Sequence, residues 1–290
     1  MTPTLDAIAR PSGTFAMVAM DQRESLRHMF DLAGRGRPDD DVLIDFKVAV
    51  AEELGPLASG FLIDNRYGFE RVRQAIADSA AGLILAADAL EQADGGPVEE
   101  TSIDDEVAAR DLDGVVALKL LIIWRRDERR EERVALADRF IKLSAERGVL
   151  SVLEPVVRAT AAEGSGWDAD AAIREAAREL AALRPDLYKS QVPMAGGGDE
   201  KQQRAASAAL NECMTGPWVV LSQGVERDRF EPAVRAACLE GASGFLAGRA
   251  LWSDVVGAAD VREQLRERSA PRLRSLIDTV EAVGRPWSAR

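Results

Sequence analysis

Two lysines and two carboxylates stand at corresponding places in four separate apolar segments. Lys189 interrupts DLYKSQV, Lys119 interrupts VVALKLLII, Glu154 falls near the end of VLSVLEP, and Asp21 closes FAMVAMD. The chain has five lysines, so two inside apolar segments call for a reason. A strand lysine can snorkel to solvent or pair with an acid. Four such groups at one end of parallel strands point instead to a neutral amine used as a nucleophile. A second ammonium nearby, together with partial desolvation, would favour loss of the Lys189 proton. Neutral Lys189 would add to a ketone to give a carbinolamine, whose dehydration leaves a protonated Schiff base. That electron sink allows the neighbouring carbon–carbon bond to break. Glu154 would carry protons to and from oxygen, and Asp21 would orient or deprotonate a substrate hydroxyl. Capping of a helix or loop is the structural reading of the same two acids.

These residues need a frame that brings four strand ends together. Eight segments read as strands: Phe15 to Asp21, Ala58 to Asp64, Ala81 to Asp88, Val115 to Ile123, Val149 to Pro155, Asp186 to Val192, Trp218 to Ser222 and Gly244 to Gly248. Their nearly unbroken apolar runs suit parallel strands covered on both faces. Amphipathic stretches alternate with them: 41–54, 67–79, 104–112, 127–147, 169–183, 200–214, 228–240 and a terminal pair over 253–283. Eight such pairs in one chain of this length predict a single α/β domain over residues 1–290, a (β/α)8 TIM barrel. A doubly wound open sheet would carry a glycine-rich loop after its first strand, and Gln22-Arg23-Glu24 stands there instead. In a barrel the C-terminal strand ends hold the active site, where the four residues converge.

The last two strands add a second group. Ser222 and Gly224 follow one, and Gly248 and Arg249 follow the other, where barrels bind phosphate through backbone N–H groups and a forked guanidinium. Glycines used only for tight turns are the alternative. Loops at Gly95-Gly96-Pro97 and Gly196-Gly197-Gly198 are candidate lids. The run Arg125 to Arg133 mixes both signs at helical spacing and reads as a solvated, salt-bridged face.

Composition removes several classes. A net charge of −12 disfavours nucleic acid and anionic membranes as partners. No apolar run is long enough to span a bilayer, and the N-terminus has no leader pattern, so a cytoplasmic location is expected. The single histidine, His28, is read as a surface or interface residue and argues against a zinc enzyme. Cys213 and Cys238 fit no metal or redox spacing and are read as reduced packing residues. Met17, Met20 and Met29 are read as packing.

The segments GTFAMVAMDQRESLRHMF, VVALKLLIIW, LSVLEPVVR, DLYKSQVP, WVVLSQGV and GASGFLAGRALW resemble the class I aldolases that include tagatose-1,6-bisphosphate and sulfofructosephosphate aldolases. The likeness runs from about Ala9 to Trp252. It implies a (β/α)8 fold, no metal or other cofactor, and cleavage of a ketose phosphate to dihydroxyacetone phosphate and a three-carbon aldehyde. It also implies Lys189 as the Schiff-base lysine, Glu154 as proton shuttle, and Lys119 and Asp21 as supporting cation and carboxylate. Ser222, Gly224, Gly248 and Arg249 would hold the phosphate, and Gln22 would face the other end of the sugar. DQRES, EPVVR and the compact Ala159–Trp167 connection resemble the sulfofructosephosphate branch most. That branch implies 6-deoxy-6-sulfofructose 1-phosphate as substrate, with tagatose or fructose 1,6-bisphosphate as the alternative. Gln22, Arg66 and Arg158 are the candidate readers of the distal anion, sulfonate or phosphate. Relatives imply a homodimer or homotetramer. A non-catalytic sugar-phosphate binder is the reading from a different class.

Overall fold

The computed structural model describes residues 3–93 and 96–289. Ten strands form: β1 Phe15–Met20, β2 Gly60–Asp64, β3 Gly82–Ala86, β4 Asp88–Gln92, β5 Val98–Ile103, β6 Val115–Trp124, β7 Leu150–Val157, β8 Leu187–Gln191, β9 Trp218–Leu221 and β10 Gly244–Ala247. Eight of them close a parallel barrel in the order β1-β10-β9-β8-β7-β6-β3-β2, and β4 and β5 pair separately and antiparallel. The helices are α1 Glu24–Leu32, α2 Asp40–Leu54, α3 Phe69–Ala75, α4 Asp105–Ala109, α5 Arg130–Glu146, α6 Ala169–Leu180, α7 Glu200–Asn211, α8 Arg227–Leu239, α9 Arg249–Trp252, α10 Val261–Gln264 and α11 Ala270–Val283. The chain thus has the predicted (β/α)8 architecture.

Two layers of core explain why the sequence folds this way. Outward-facing strand residues such as Val18, Phe61, Leu118 and Tyr188 pack beneath the helices, while Met17, Ala19, Ala117, Val152 and Leu187 fill the barrel interior. Side chains alternate along a strand, so the position two residues beyond an interior one returns to the same face. Two residues past Ala19, Ala117, Val152 and Leu187 stand Asp21, Lys119, Glu154 and Lys189. Strand periodicity therefore stacks these charged groups on the apolar plug at the C-terminal mouth. The opposite end is closed by the turn Leu5–Ile8, whose Leu5 and Ile8 are buried against the interior layer. Gly82 permits that closure, because a Cβ there would lie 2.1 Å from the Ala7 carbonyl oxygen.

The third predicted strand, Ala81 to Asp88, is in fact two elements. β3 ends at Ala86, and Asp88 starts a hairpin with β5 that leans over the mouth. Of the candidate lid at Gly95-Gly96-Pro97, Gly95 lies outside the described residues, and Gly96 and Pro97, just before β5, border the cavity. The other glycine loop does not border it. It is tied down by Gln203 Nε2 donating to the Gly196 and Gly197 carbonyls and by Met194 N–H donating to Asp170 at 2.7 Å. The charged run Arg125 to Arg133 is salt-bridged, but not wholly solvated. Arg133 is buried between Asp127 and Glu100, Arg125 pairs with Glu99, and the hairpin is held to the barrel through these contacts.

His28 is exposed on α1, and Cys213 and Cys238 are buried free thiols, with burial pushing the Cys238 thiol up to about 12. Among the described residues no helix is long and apolar enough to cross a membrane.

Candidate active site

The charged side chains at the mouth form one connected group. Lys119 Nζ donates to Asp21 Oδ2 at 2.7 Å and to Asp88 Oδ2 at 2.9 Å, and lies 2.9 Å from Glu154 Oε2. The other Glu154 oxygen, Oε1, lies 2.9 Å from Lys189 Nζ. Glu154 therefore bridges the two lysines. Lys119, Lys189 and Glu154 are all buried, and Asp21 is nearly so.

Such burial would normally neutralise the groups. Burial pulls the Lys119 proton affinity down, but Asp21, Asp88 and Glu154 outweigh it and hold the ammonium well above the ordinary lysine range. Burial likewise opposes the charged form of Asp21, yet Lys119 and then Lys189 keep its carboxyl well below the usual carboxylate range. Lys119 is thus not a bare cation repelling Lys189, as the sequence reading has it. Its charge is offset on three sides, with a carboxylate interposed between the lysines.

Asp88 and Arg23 are the two mouth residues that the sequence reading misses. Asp88 Oδ1 accepts from Arg23 Nη2 at 2.9 Å, and Arg23 Nη1 donates to the Asp88 carbonyl at 2.7 Å. The signal for Asp88 was present: an acid two residues past the interior Ala86, like Asp21 past Ala19. Deeper in, Asp64 pairs with the fully buried Lys47 and accepts the Arg66 and Tyr67 N–H groups at 2.9 and 2.8 Å. Breaking one partner of such a pair typically costs about 3–5 kcal/mol.

One cavity joins these groups to the candidate binding residues. Asp21, Gln22, Arg23, Lys119, Glu154, Arg158, Lys189, Ser222, Gly248 and Arg249 line it, together with Leu90, Gln92 and Val98 of the hairpin. Gly224 lies just outside, in an adjoining recess with Ser222, Arg227, Arg249 and Ser253. Arg66 does not line the cavity. Its side chain is exposed, and only its N–H serves the turn that Asp64 closes, so it is not placed to read a substrate anion.

Gln22 also departs from expectation. A Cβ at Gly248 would lie 3.1 Å from Gln22 Nε2 and 2.6 Å from the Ala19 carbonyl oxygen. Gln22 is therefore beside the β10 end, next to the expected phosphate residues rather than across from them, and Gly248 is needed for that close approach. Its Oε1 is buried without a hydrogen-bond partner.

Among the described residues, no carboxylate lies within ion-pair distance of Arg249 or Arg158, and Arg158 Nε is buried without a partner. Burial lowers the proton affinity of both guanidiniums, although neither leaves the charged state near neutral pH. Arg249 stands at the start of α9, where Trp252 anchors the turn by donating to the Ala19 carbonyl at 3.0 Å. Arg158 follows β7, with Glu99 and Arg125 as its charged neighbours. Gln191, two residues beyond Lys189, accepts the Val157 N–H at 2.7 Å. It joins β7 and β8 where their backbone pairing has ended.

A closed parallel barrel with a buried lysine–carboxylate group at its C-terminal mouth and unpaired guanidiniums beside it has the groups to act on an anionic carbonyl compound. Residues 15–254 match the DeoC/LacD family aldolase model, and the chain belongs to that family, as a class I aldolase. It is 26% identical to a tagatose 1,6-diphosphate aldolase of Listeria monocytogenes, over 98% of this chain and 92% of that one. Among solved structures it is similar to a fructose-bisphosphate aldolase from Plasmodium falciparum, with a TM-score of 0.72 at 12% identity over 97% of this chain and 93% of that chain. An archaeal fructose-1,6-bisphosphate aldolase, with its catalytic lysine bound to a carbinolamine intermediate, aligns at a TM-score of 0.61 and 14% identity over 96% and 98%.

Proposed function

We propose that this aldolase cleaves 6-deoxy-6-sulfofructose 1-phosphate to dihydroxyacetone phosphate and sulfolactaldehyde through a Schiff base on Lys189. Glu154 Oε1, 2.9 Å from Lys189 Nζ, takes the ammonium proton and leaves a neutral amine. The amine adds to the C2 carbonyl, and Glu154 returns the proton as water leaves the carbinolamine. Asp21 takes the proton of the C4 hydroxyl. The C3–C4 electron pair then moves into the iminium, releasing the aldehyde and leaving an enamine. Asp21 gives its proton to C3 of the enamine, and addition of water to the resulting iminium releases dihydroxyacetone phosphate and regenerates Lys189. Lys119 stays charged throughout, stabilising the anionic forms of Asp21 and Glu154.

The phosphate of the dihydroxyacetone half is held by Arg249, Ser222 and the backbone at Gly224 and Gly248, with Gln22 alongside. The observation that carries the substrate assignment is the cationic charge left for a second anionic group. Among the candidate distal readers, Arg158 alone brings an unpaired cation to the cavity, because Arg66 lies outside it. One guanidinium matches the single charge of a sulfonate better than the double charge of a phosphate.

Cleavage of tagatose 1,6-bisphosphate is the second reading, favoured by the naming of relatives aligned over nearly the whole chain. Measuring kcat/KM for both ketose phosphates on one preparation separates them. A preference for the sulfosugar of about a hundredfold, on the order of 3 kcal/mol in transition-state binding, is expected. The reverse preference discards the sulfosugar assignment while keeping the lysine chemistry.

A further inference from the structure

One carboxylate at the mouth has no part in the reaction outlined above. Asp88 is 1% exposed and, unlike Asp21 and Glu154, does not border the cavity. Its Oδ2 accepts from Lys119 Nζ at 2.9 Å and from the Leu121 N–H at 3.1 Å. Its Oδ1 accepts from Arg23 Nη2 at 2.9 Å. Both oxygens are therefore held by donors, from β6 on one side and Arg23 on the other, which leaves the carboxylate no freedom to turn toward substrate.

We infer that Asp88, clamped by Arg23, is a positioning residue: it is the permanent counter-ion of Lys119 and frees Asp21 and Glu154 to change charge during the reaction. The argument follows from the proton traffic and rests on the Schiff-base reading. Whenever Glu154 holds a proton, Lys119 loses one of its three anionic neighbours, and whenever Asp21 does, it loses another. A buried ammonium deprived of counter-charge would give up its own proton or draw the catalytic carboxylates out of position. A carboxylate held by donors on both oxygens and kept out of the proton traffic prevents both. Arg23 fixes that anion, and is itself steadied by Asp64, 3.9 Å away, which pairs with Lys47.

The groups facing Lys119 are Asp21 from the end of β1, Asp88 from β4 and Glu154 from β7, with Lys189 of β8 beyond Glu154. Those facing Arg23 are Asp88, Asp64, Asp21 and Asp104. The pH dependence of kcat in Asp88→Asn, Asp88→Glu and Arg23→Gln, together with borohydride trapping of dihydroxyacetone phosphate, tests the assignment. Asp88→Asn is expected to form the trapped adduct at Lys189, lose about 30-fold or more in kcat with KM within about threefold, and lose activity at alkaline pH about one unit or more below wild type. Asp88→Glu restores part of the rate and the alkaline range. Arg23→Gln, which removes a cation, leaves the alkaline limit unmoved or raises it. An alkaline limit unchanged in Asp88→Asn, or lowered in Arg23→Gln, overturns the assignment, and the second result decides the case if Asp88→Asn does not fold. Absence of an adduct in the wild-type protein fails the Schiff-base reading itself, a separate outcome.

Discussion

The two sides of the barrel mouth are built on opposite electrostatic plans. On the side of β1, β4, β6, β7 and β8, each ammonium meets a carboxylate and Lys119 meets three. Beside β10 and after β7, Arg249 and Arg158 are left without an acidic partner among the described residues, and the Gln22 oxygen has no donor. The first side is complete before substrate arrives, so its dipoles need not reorganise as charge moves. The second is completed only by an anionic ligand. In the proposed reaction, catalytic order and binding capacity are thus separated in space.

Substitutions sharpen that contrast. Lys119→Met is expected to have the largest effect, lowering kcat/KM by about 10⁴-fold and destabilising the fold by about 3–5 kcal/mol, because it strands three buried carboxylates. Denaturant unfolding alongside steady-state kinetics checks both. Arg249→Met should cost about a hundredfold in kcat/KM, mostly through KM, while leaving stability unchanged or improved, since it removes an unpaired, partly buried cation. A large loss of stability there would erase the distinction between the two sides. Arg158→Met should cost about tenfold, and only for substrates with a second anionic group; an equal loss on a ketose monophosphate would remove Arg158 from distal recognition.

Acid adds a smaller signature. The Asp21 carboxyl is depressed in the folded state, burial opposing and Lys119 overcoming, so its contribution to stability is complete above the unfolded aspartate value of about 3.9 and is lost as pH falls below it. Asp21→Asn should flatten the fall in stability below that pH. The same fall in the variant would show that Asp21 is not coupled to Lys119 as described.

Much of this was legible in the sequence, for a physical reason. Parallel strands covered on both faces need continuous apolar residues, so FAMVAMD or LSVLEP marks both a strand and, by the period of two, the charged residue that its end presents. The hairpin was hidden because it breaks that rule. Asp88 to Gln92 follows directly on the apolar run of β3, yet beyond the buried Asp88 its side chains are only partly covered, and β5 is polar and half-exposed. Arg66 was misjudged because sequence order places it at a strand end without showing that Asp64 bends the backbone there and turns the guanidinium outward. Asp88 was missed although its spacing past Ala86 marks it, and Arg23 was missed because nothing in its spacing shows that it would clamp the base of a hairpin.

The most direct test of the central claim is borohydride reduction of the wild-type protein with dihydroxyacetone phosphate, followed by peptide mass mapping. The account predicts one covalent adduct, on Lys189, absent from Lys189→Met and formed without modification of Lys119. An adduct on Lys119 or Lys47, or none at all with active enzyme, would contradict it.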